Sequence, residues 1–328
     1  MRNHRKRLGT AAFAAACCVV LELLWVQIAG LAEPTEGNFI RYVELSAPYA
    51  ALQDAMQEDV EREGEVCWTD ILAGLACQNG NDWSGYQTQQ TKRMAQQLEG
   101  GKTPEDNTYF SYYQEVYRAA FGGLLGDYAE EKESEDGSRD WNMRYGLKGY
   151  SPIADGFEYS DSDDFGASRS YGYQRRHLGH DMMGLTGTPI VAVESGTVTM
   201  LGWNQYGGWR VGIRSTDGKR YWYYAHLRKD RPFAAGLKEG KCVKAGEVIG
   251  YMGRTGYSAT ENVNNIETPH LHIGLELIFD ESQFESDNEI WVDIYPMVQL
   301  LRQHRSAVDR VENGEYTRRF ELLEAGAP

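Results

Sequence analysis

Hydrophobic and polar positions change their period twice along the chain. A basic start, Met1 to Arg7, leads into an apolar run from Leu8 to Ala32 that holds one charge, Glu22. A basic start, an apolar run and small residues near its end form the pattern of an export signal. The run is also long enough to span a bilayer. Glu22 would cost roughly 2–3 kcal/mol at mid-membrane, which leans toward a cleaved signal. Residues 1–32 are therefore expected to be a signal peptide or a membrane anchor, with the rest of the chain outside the cytoplasm. Cys17 and Cys18 lie too deep in the apolar run to be a lipid-attachment site.

Residues 38–128 carry a helical period. YAALQDAMQEDVER spaces Leu52, Ala55, Met56 and Val60 for one helix face. Thr69 is expected to cap a second helix through Ile71, Leu72 and Leu75. A third helix should stop at Gly100-Gly101, and TYFSYYQEVYRAAFGGLLGDY suggests a fourth. The result is a small helical bundle of unknown role. Residues 129–165 then read as an acidic linker and loop. EEKESEDGSRD has no large apolar residue and should be solvated. A second acidic run, YSDSDDFG, is expected as a surface loop and lacks the twelve-residue calcium pattern.

From Pro189 the pattern is that of strands. β-Branched and aromatic residues alternate with glycine, and Asp217-Gly218 signals a hairpin. No helix of useful length is expected before Pro296, which suits the first turn of a short one. The predicted fold class is α+β: an export or anchor helix, a small helical bundle, then an antiparallel β-sheet domain over 166–305 with a short C-terminal helix. Residues 306–328 read as a polar tail.

Composition changes this picture in two respects. The formal charge is −15 over 328 residues, and residues 1–32 carry four basic side chains against Glu22, so the remainder holds −18. That excludes a nucleic-acid partner, which needs a basic surface, and non-specific attachment to anionic wall polymers. Beyond residue 32 only Cys67, Cys77 and Cys242 remain. Cys67 and Cys77 flank a predicted helix that would separate them by about 15 Å, against about 5.5 Å for a disulfide. All three are expected as free, buried thiols.

Five of the seven histidines lie between residues 177 and 272. In PHLHIG, His270 and His272 share one strand face and Leu271 takes the other. In RYWYYAHL, strict alternation would put His226 on the face of Tyr224, Trp222 and Arg220. In HLGHD, a straight strand would hold His177 and Asp181 about 13 Å apart, so Gly179 is expected to bend the chain and let them converge. A catalytic zinc takes three protein ligands and keeps one position open. His177, Asp181 and one of the His270/His272 pair would supply the ligands, leaving the other and His226 as acid–base groups for amide hydrolysis.

At these residues the sequence resembles the lysostaphin-type, LytM-like zinc metallopeptidases, which cut peptides in peptidoglycan. HLGHD at 177–181, GTPIVA at 187–192, YAHL at 224–227 and HLH at 270–272 carry the resemblance, with GTV at 196–198 and VKAGEVIGYMGRTG at 243–256 in order between them. It covers roughly residues 170–280. It implies a LytM-like, lipoyl-barrel-resembling sheet, one zinc per chain held by His177, Asp181 and His272, and a catalytic pair, His226 and His270. The implied substrate is a peptide of peptidoglycan, met in the wall or from an anchor. His180 takes the variable position of the motif and is read as non-ligating, lining the groove. Tyr171 and Tyr173 are both candidates for an upstream tyrosine that supports the transition state. The chain departs from the family in SATENVNNIETP, an added stretch after Tyr257 expected at the groove edge. Trp203, Tyr206, Trp209 and Trp222 are candidate groove aromatics. Two other classes compete: a non-catalytic wall-binding scaffold, which the intact histidine set opposes, and a swinging-arm carrier, which lacks its lysine hairpin here.

Overall fold

The computed structural model describes residues 39–104, 107–171 and 173–324, without the side chains of Asn107, Thr108, Tyr171 and Tyr173. The segment expected as signal or anchor, 1–32, lies outside them. Among the described residues no helix is long and apolar enough to cross a membrane.

Four helices come first: α1 (Tyr49–Glu61), α2 (Trp68–Asn79), α3 (Thr88–Glu99) and α4 (Asn107–Phe121). On α1 the buried Leu52 and Ala55 form the expected stripe, while Met56 and Val60 are half-buried at its margin. Helix α2 is buried from Trp68 to Ala76 at every position but Asp70. It starts one residue before the expected cap. Cys67 is the N-cap, and Thr69 sits buried in the first turn against the Cys67 sulfur at 3.0 Å. Gly80, left-handed at φ 58°, ends it. None of the three described cysteines is paired with another of them in a disulfide; Cys67 and Cys77 are partly buried, and Cys242 is exposed.

The acidic linker is a hairpin rather than a loop. β1 (Leu125–Glu133) and β2 (Arg139–Leu147) pair antiparallel across nine positions. The hairpin is held by its inward residues, Tyr128 and Ala129, and by β17 (Leu322–Glu324) from the expected polar tail, which pairs with β1. Two further tail strands, β15 (Val308–Arg310) and β16 (Tyr316–Arg318), pair with each other. Polarity misled here because the charges find partners: Glu130 pairs with Arg144 and accepts from Tyr150, and Glu131 pairs with Arg139.

The site stands on an antiparallel sheet of eight strands. Its order is β11 (Cys242–Val243), β8 (Gly196–Asn204), β9 (Gly208–Ser215), β10 (Arg220–Ala225), β13 (His270–Leu277), β6 (His180–Met183) and β3 (Ser160–Asp161), with β14 (Ile290–Val292) also paired to β13. β4 (Ser168–Tyr171) and β5 (Tyr173–Arg176) form a hairpin just before β6, and β7 (Pro189–Val191) pairs with β12 (Val248–Tyr251). A short helix, α5 (Tyr295–Leu301), has Pro296 in its first turn. Apolar residues of the helices and of the sheet join one core, in which Phe121 and Leu124 belong with Ile213, Leu275 and Leu301.

One buried ion pair locks these layers. The Arg220 guanidinium donates to Glu194 at 2.7 Å, to Asp217 at 2.9 Å and to the Ala119 carbonyl at 2.7 Å. Trp222 Nε1 donates to the same Glu194 carboxylate at 2.6 Å. A cation on the last carbonyls of α4 also suits the negative end of that helix. Charge and hydrogen bonds are matched group for group, which is what a buried pair requires.

Candidate metal centre and substrate groove

β13 arranges the site. Asp181 on β6 stands directly opposite His272 on β13, and Ala225 on β10 stands opposite it on the other side. Cross-strand neighbours have Cβ atoms about 4.5–5.5 Å apart, close enough for their side-chain tips to meet. His272 Nδ1 lies 3.0 Å from Asp181 Oδ1. His177, just ahead of β6, adds its Nε2 at 3.0 Å from the same oxygen and 2.8 Å from His272 Nδ1. Three ligand atoms thus form a nearly equilateral triangle.

Zinc bonds of about 2.0–2.1 Å in a tetrahedron place ligand atoms about 3.3 Å apart. The triangle matches this within a few tenths of an ångström. Two imidazoles and a carboxylate are also the donor types zinc takes when a fourth position is left open. Burial opposes ionisation of Asp181, yet the facing His177 and His272 outweigh it and hold the carboxyl well below the usual carboxylate range.

The chain bends at Gly179, as expected, but its φ is not left-handed. Glycine is needed there for space. A Cβ at 179 would come within 2.6 Å of the Ile273 carbonyl oxygen and 2.7 Å of the His272 ring.

The acidic run ahead of the site supports it. His177 Nδ1 donates to the Asp164 carbonyl at 3.0 Å, which turns Nε2 inward. Arg169 on β4 donates to Asp164 Oδ2 at 2.7 Å and to Asp181 Oδ2 at 3.1 Å, fixing the carboxylate oxygen that faces away from the triangle. Outer partners of this kind orient ligands and set their basicity. Neither residue was picked out from sequence; the nearest signal was an acid-rich loop immediately before a histidine segment. His180 does not line the groove. It is 1% exposed and turns away to Asp161 at 3.1 Å, because β6 alternates and Asp181 takes the groove face.

His226 reaches the site against the expected alternation. β10 ends at Ala225, and His226 has a left-handed backbone with φ 61°. That conformation is uncommon for a non-glycine residue. It breaks the period of two, so His226 joins Tyr221 and Tyr223 at the groove, while Trp222 and Tyr224 stay in the core. The His226 and His270 rings meet with centroids 4.7 Å apart. Each donates its Nδ1 proton to a carbonyl at 2.9 Å, that of Thr255 for His226 and of Thr268 for His270. Both therefore keep Nε2 as an acceptor. Burial, helped by the neighbouring His270 and His272, lowers the His226 pKa well below its ordinary value, so the ring is neutral at pH 7.

A groove of about 480 Å³ runs from the triangle along the sheet face. Of the expected aromatics only Tyr206 lines it. Trp203 and Trp209 pack edge to face, and Trp222 is buried. The lining instead comes from Tyr221, Tyr223, Tyr257, Phe284 and Trp291, with Arg175 at the metal end. The added stretch after Tyr257 contributes no lining residue. Asn262 ties it instead to Trp209 Nε1 at 2.9 Å and to the Asp230 backbone at 2.8 Å.

Residues 175–284 match the sequence model described as Peptidase family M23. Over 118 residues the chain is 40% identical to the L-Ala--D-Glu endopeptidase of Bacillus subtilis (strain 168), covering 36% of this chain and 35% of the relative. Over 97 residues it is 39% identical to lysostaphin of Staphylococcus simulans, covering 29% of this chain and 17% of that protein. The chain thus spans about a third or less of these relatives. A solved structure of a lytM protein from Ruminococcus gnavus ATCC 29149 shares the fold at 24% identity, with a TM-score of 0.52, over 81% of this chain and 90% of that one. The segment that brings His177, Asp181, His226, His270 and His272 together is the one that matches peptidase family M23.

Proposed function

We propose that this chain is a zinc-dependent metalloendopeptidase that hydrolyses amide bonds in stem or cross-bridge peptides of peptidoglycan, acting outside the cytoplasm, either secreted or anchored through residues 1–32. The convergence of His177 Nε2, Asp181 Oδ1 and His272 Nδ1 within 3.0 Å of one another, at the floor of an open groove, carries this reading. The catalytic unit is residues 166–305. Its match to peptidase family M23 and its likeness to a relative named L-Ala--D-Glu endopeptidase support the substrate class.

His177, Asp181 and His272 would hold one zinc ion. When bound, zinc supplies Lewis acidity toward a carbonyl and acidifies water. His226 and His270 are the acid–base pair. Their Nε2 atoms accept a proton as water attacks the amide, and return it to the leaving amine. Their Nδ1 bonds to Thr255 and Thr268 keep both rings aimed while the proton moves. The aromatic groove walls align an extended peptide and exclude bulk water from its backbone.

The test is digestion of purified wall by the full chain, with muropeptides read by mass spectrometry and metal counted in the same preparation. New free amino termini and close to one zinc per chain are expected. An unchanged muropeptide profile would overturn the hydrolase reading; less than about a tenth of an equivalent of zinc in metal-replete protein would overturn the metal site.

A further inference from the structure

We propose that the end of the groove away from the metal ligands is an ammonium-binding subsite, built on Glu276, that selects substrates carrying a free amine. The proposal rests on the groove being a peptide site.

Glu276 sits on β13 four residues beyond His272, on the same strand face. At about 3.3 Å per residue that is roughly 13 Å along the groove. The side chain lines the groove yet is 1% exposed, and its Oε1 has no hydrogen-bond partner. A buried acceptor without a donor is expensive and rare, and marks a place where a partner arrives. Two arginines stand near this end, and Oε1 is paired with neither: Arg210 lines the groove over the Tyr223 ring. Arg214, the other, is committed to Glu281 through both terminal nitrogens and to the Gly218 carbonyl. Two more carboxylates, Glu285 and Glu289, line the same end. Glu285 is held there by a left-handed backbone at φ 52°.

The remaining walls are aromatic. Tyr221 stands directly across from Glu276 on β10, with Phe284 edge-on to it at 5.0 Å. Trp291 covers the strand between the two ends of the groove. A Cβ at Gly274 would meet its ring at 2.8 Å, so glycine leaves the room that the indole fills. Carboxylates at the end of an aromatic slot suit a primary ammonium, which gains both charge-assisted hydrogen bonds and ring attraction. Burial, with Glu289 nearby, pushes the Glu276 carboxyl up to about 8. An arriving ammonium ion would ionise it.

The span sets which amines can reach. An extended peptide advances about 3.3–3.6 Å per residue. Roughly 13 Å from the metal end therefore admits an α-amino terminus four residues away, or the side-chain amine of a diamino acid about two residues away.

The probe is a pool of muropeptides released from purified wall by a muramidase, used before and after acetylation of their amines. Affinity is measured by calorimetry on the full, zinc-loaded chain in a His226→Ala background, where peptide is not consumed. Acetylation should weaken binding roughly 10–100-fold, the worth of a hydrogen bond to a charged group. Glu276→Gln should remove that difference while keeping zinc content and fold. Synthetic peptides blocked at either a lysine side chain or the α-amino terminus then identify which amine is read. Equal affinity for free and acetylated pools, or a preference that survives Glu276→Gln, overturns the subsite. A silent wall digest with amine-selective binding would remove the hydrolase reading alone; a productive digest with amine-blind binding would remove the subsite alone.

Discussion

Two buried charged clusters lie in this β-sheet, and they differ in how their donors and acceptors balance. Around Arg220, Glu194 accepts from Arg220 and Trp222, and the remaining guanidinium protons go to Asp217 and Ala119. The cluster is complete without a ligand. Around Asp181, two imidazole nitrogens and a carboxylate oxygen crowd within 3.0 Å, and the other nitrogen of His177 already gives its proton to Asp164. Three metal-ligating atom types facing one another at this spacing suit a shared cation. The first cluster therefore holds the fold together, and the second is built for a guest. Burial and charge alone would have classed them together.

The largest expected effect comes from breaking the second cluster. His272→Ala removes a ligand, and zinc content and hydrolysis should both fall to background, while the thermal midpoint of the metal-free form stays close to that of metal-free wild type. A variant that retains zinc would show that His272 is not a ligand. Next in size is the first cluster. Arg220→Met leaves Glu194 buried and unpaired and should cost about 3–5 kcal/mol in chemical denaturation. If the folded variant binds zinc normally, the two clusters are independent, as the comparison requires; loss of zinc from folded protein would couple them.

His226 sharpens the comparison inside the site. His226→Ala should keep zinc and stability, but lose roughly 10²-fold or more in hydrolysis, mainly in kcat. Near wild-type turnover would take it out of the mechanism. A last, pH-dependent test belongs to Glu276, a buried acid whose Oε1 has no hydrogen-bond partner. Its folded pKa, about 8, lies above the unfolded value of 4.5. Its stabilising contribution is therefore fully present below pH 4.5 and is lost as pH rises through 8. Measured against Glu276→Gln, the wild-type thermal midpoint should decline from about pH 4.5 and level off above about pH 8. Parallel curves for the two proteins would mean that Glu276 finds a partner in the free protein.

Much of this was legible in the chain. The helical period marked α1 to α4, with an error of two residues at the start of α2, because Cys67 and not Thr69 takes the cap. Alternation placed His270 and His272 on one face with Leu271 in the core, and spacing singled out His177 and Asp181. Local periodicity suffices where the backbone stays regular.

What only the tertiary structure decided lies where regularity stops or where partners are distant in sequence. The φ of His226 reverses its face, and no alternation rule could supply that. Asp164, Arg169 and Glu276 acquire meaning from strands that pair across the sheet, and the acidic hairpin of β1 and β2 is ordered by a C-terminal strand almost two hundred residues away. Sequence determined the donor types, the strand faces and the bend at Gly179, since these follow from side-chain chemistry and from the two-residue repeat. Convergence, burial and the balance of donors against acceptors depend on which strands lie side by side, and that was settled only when the long-range pairs of the sheet and its core formed together.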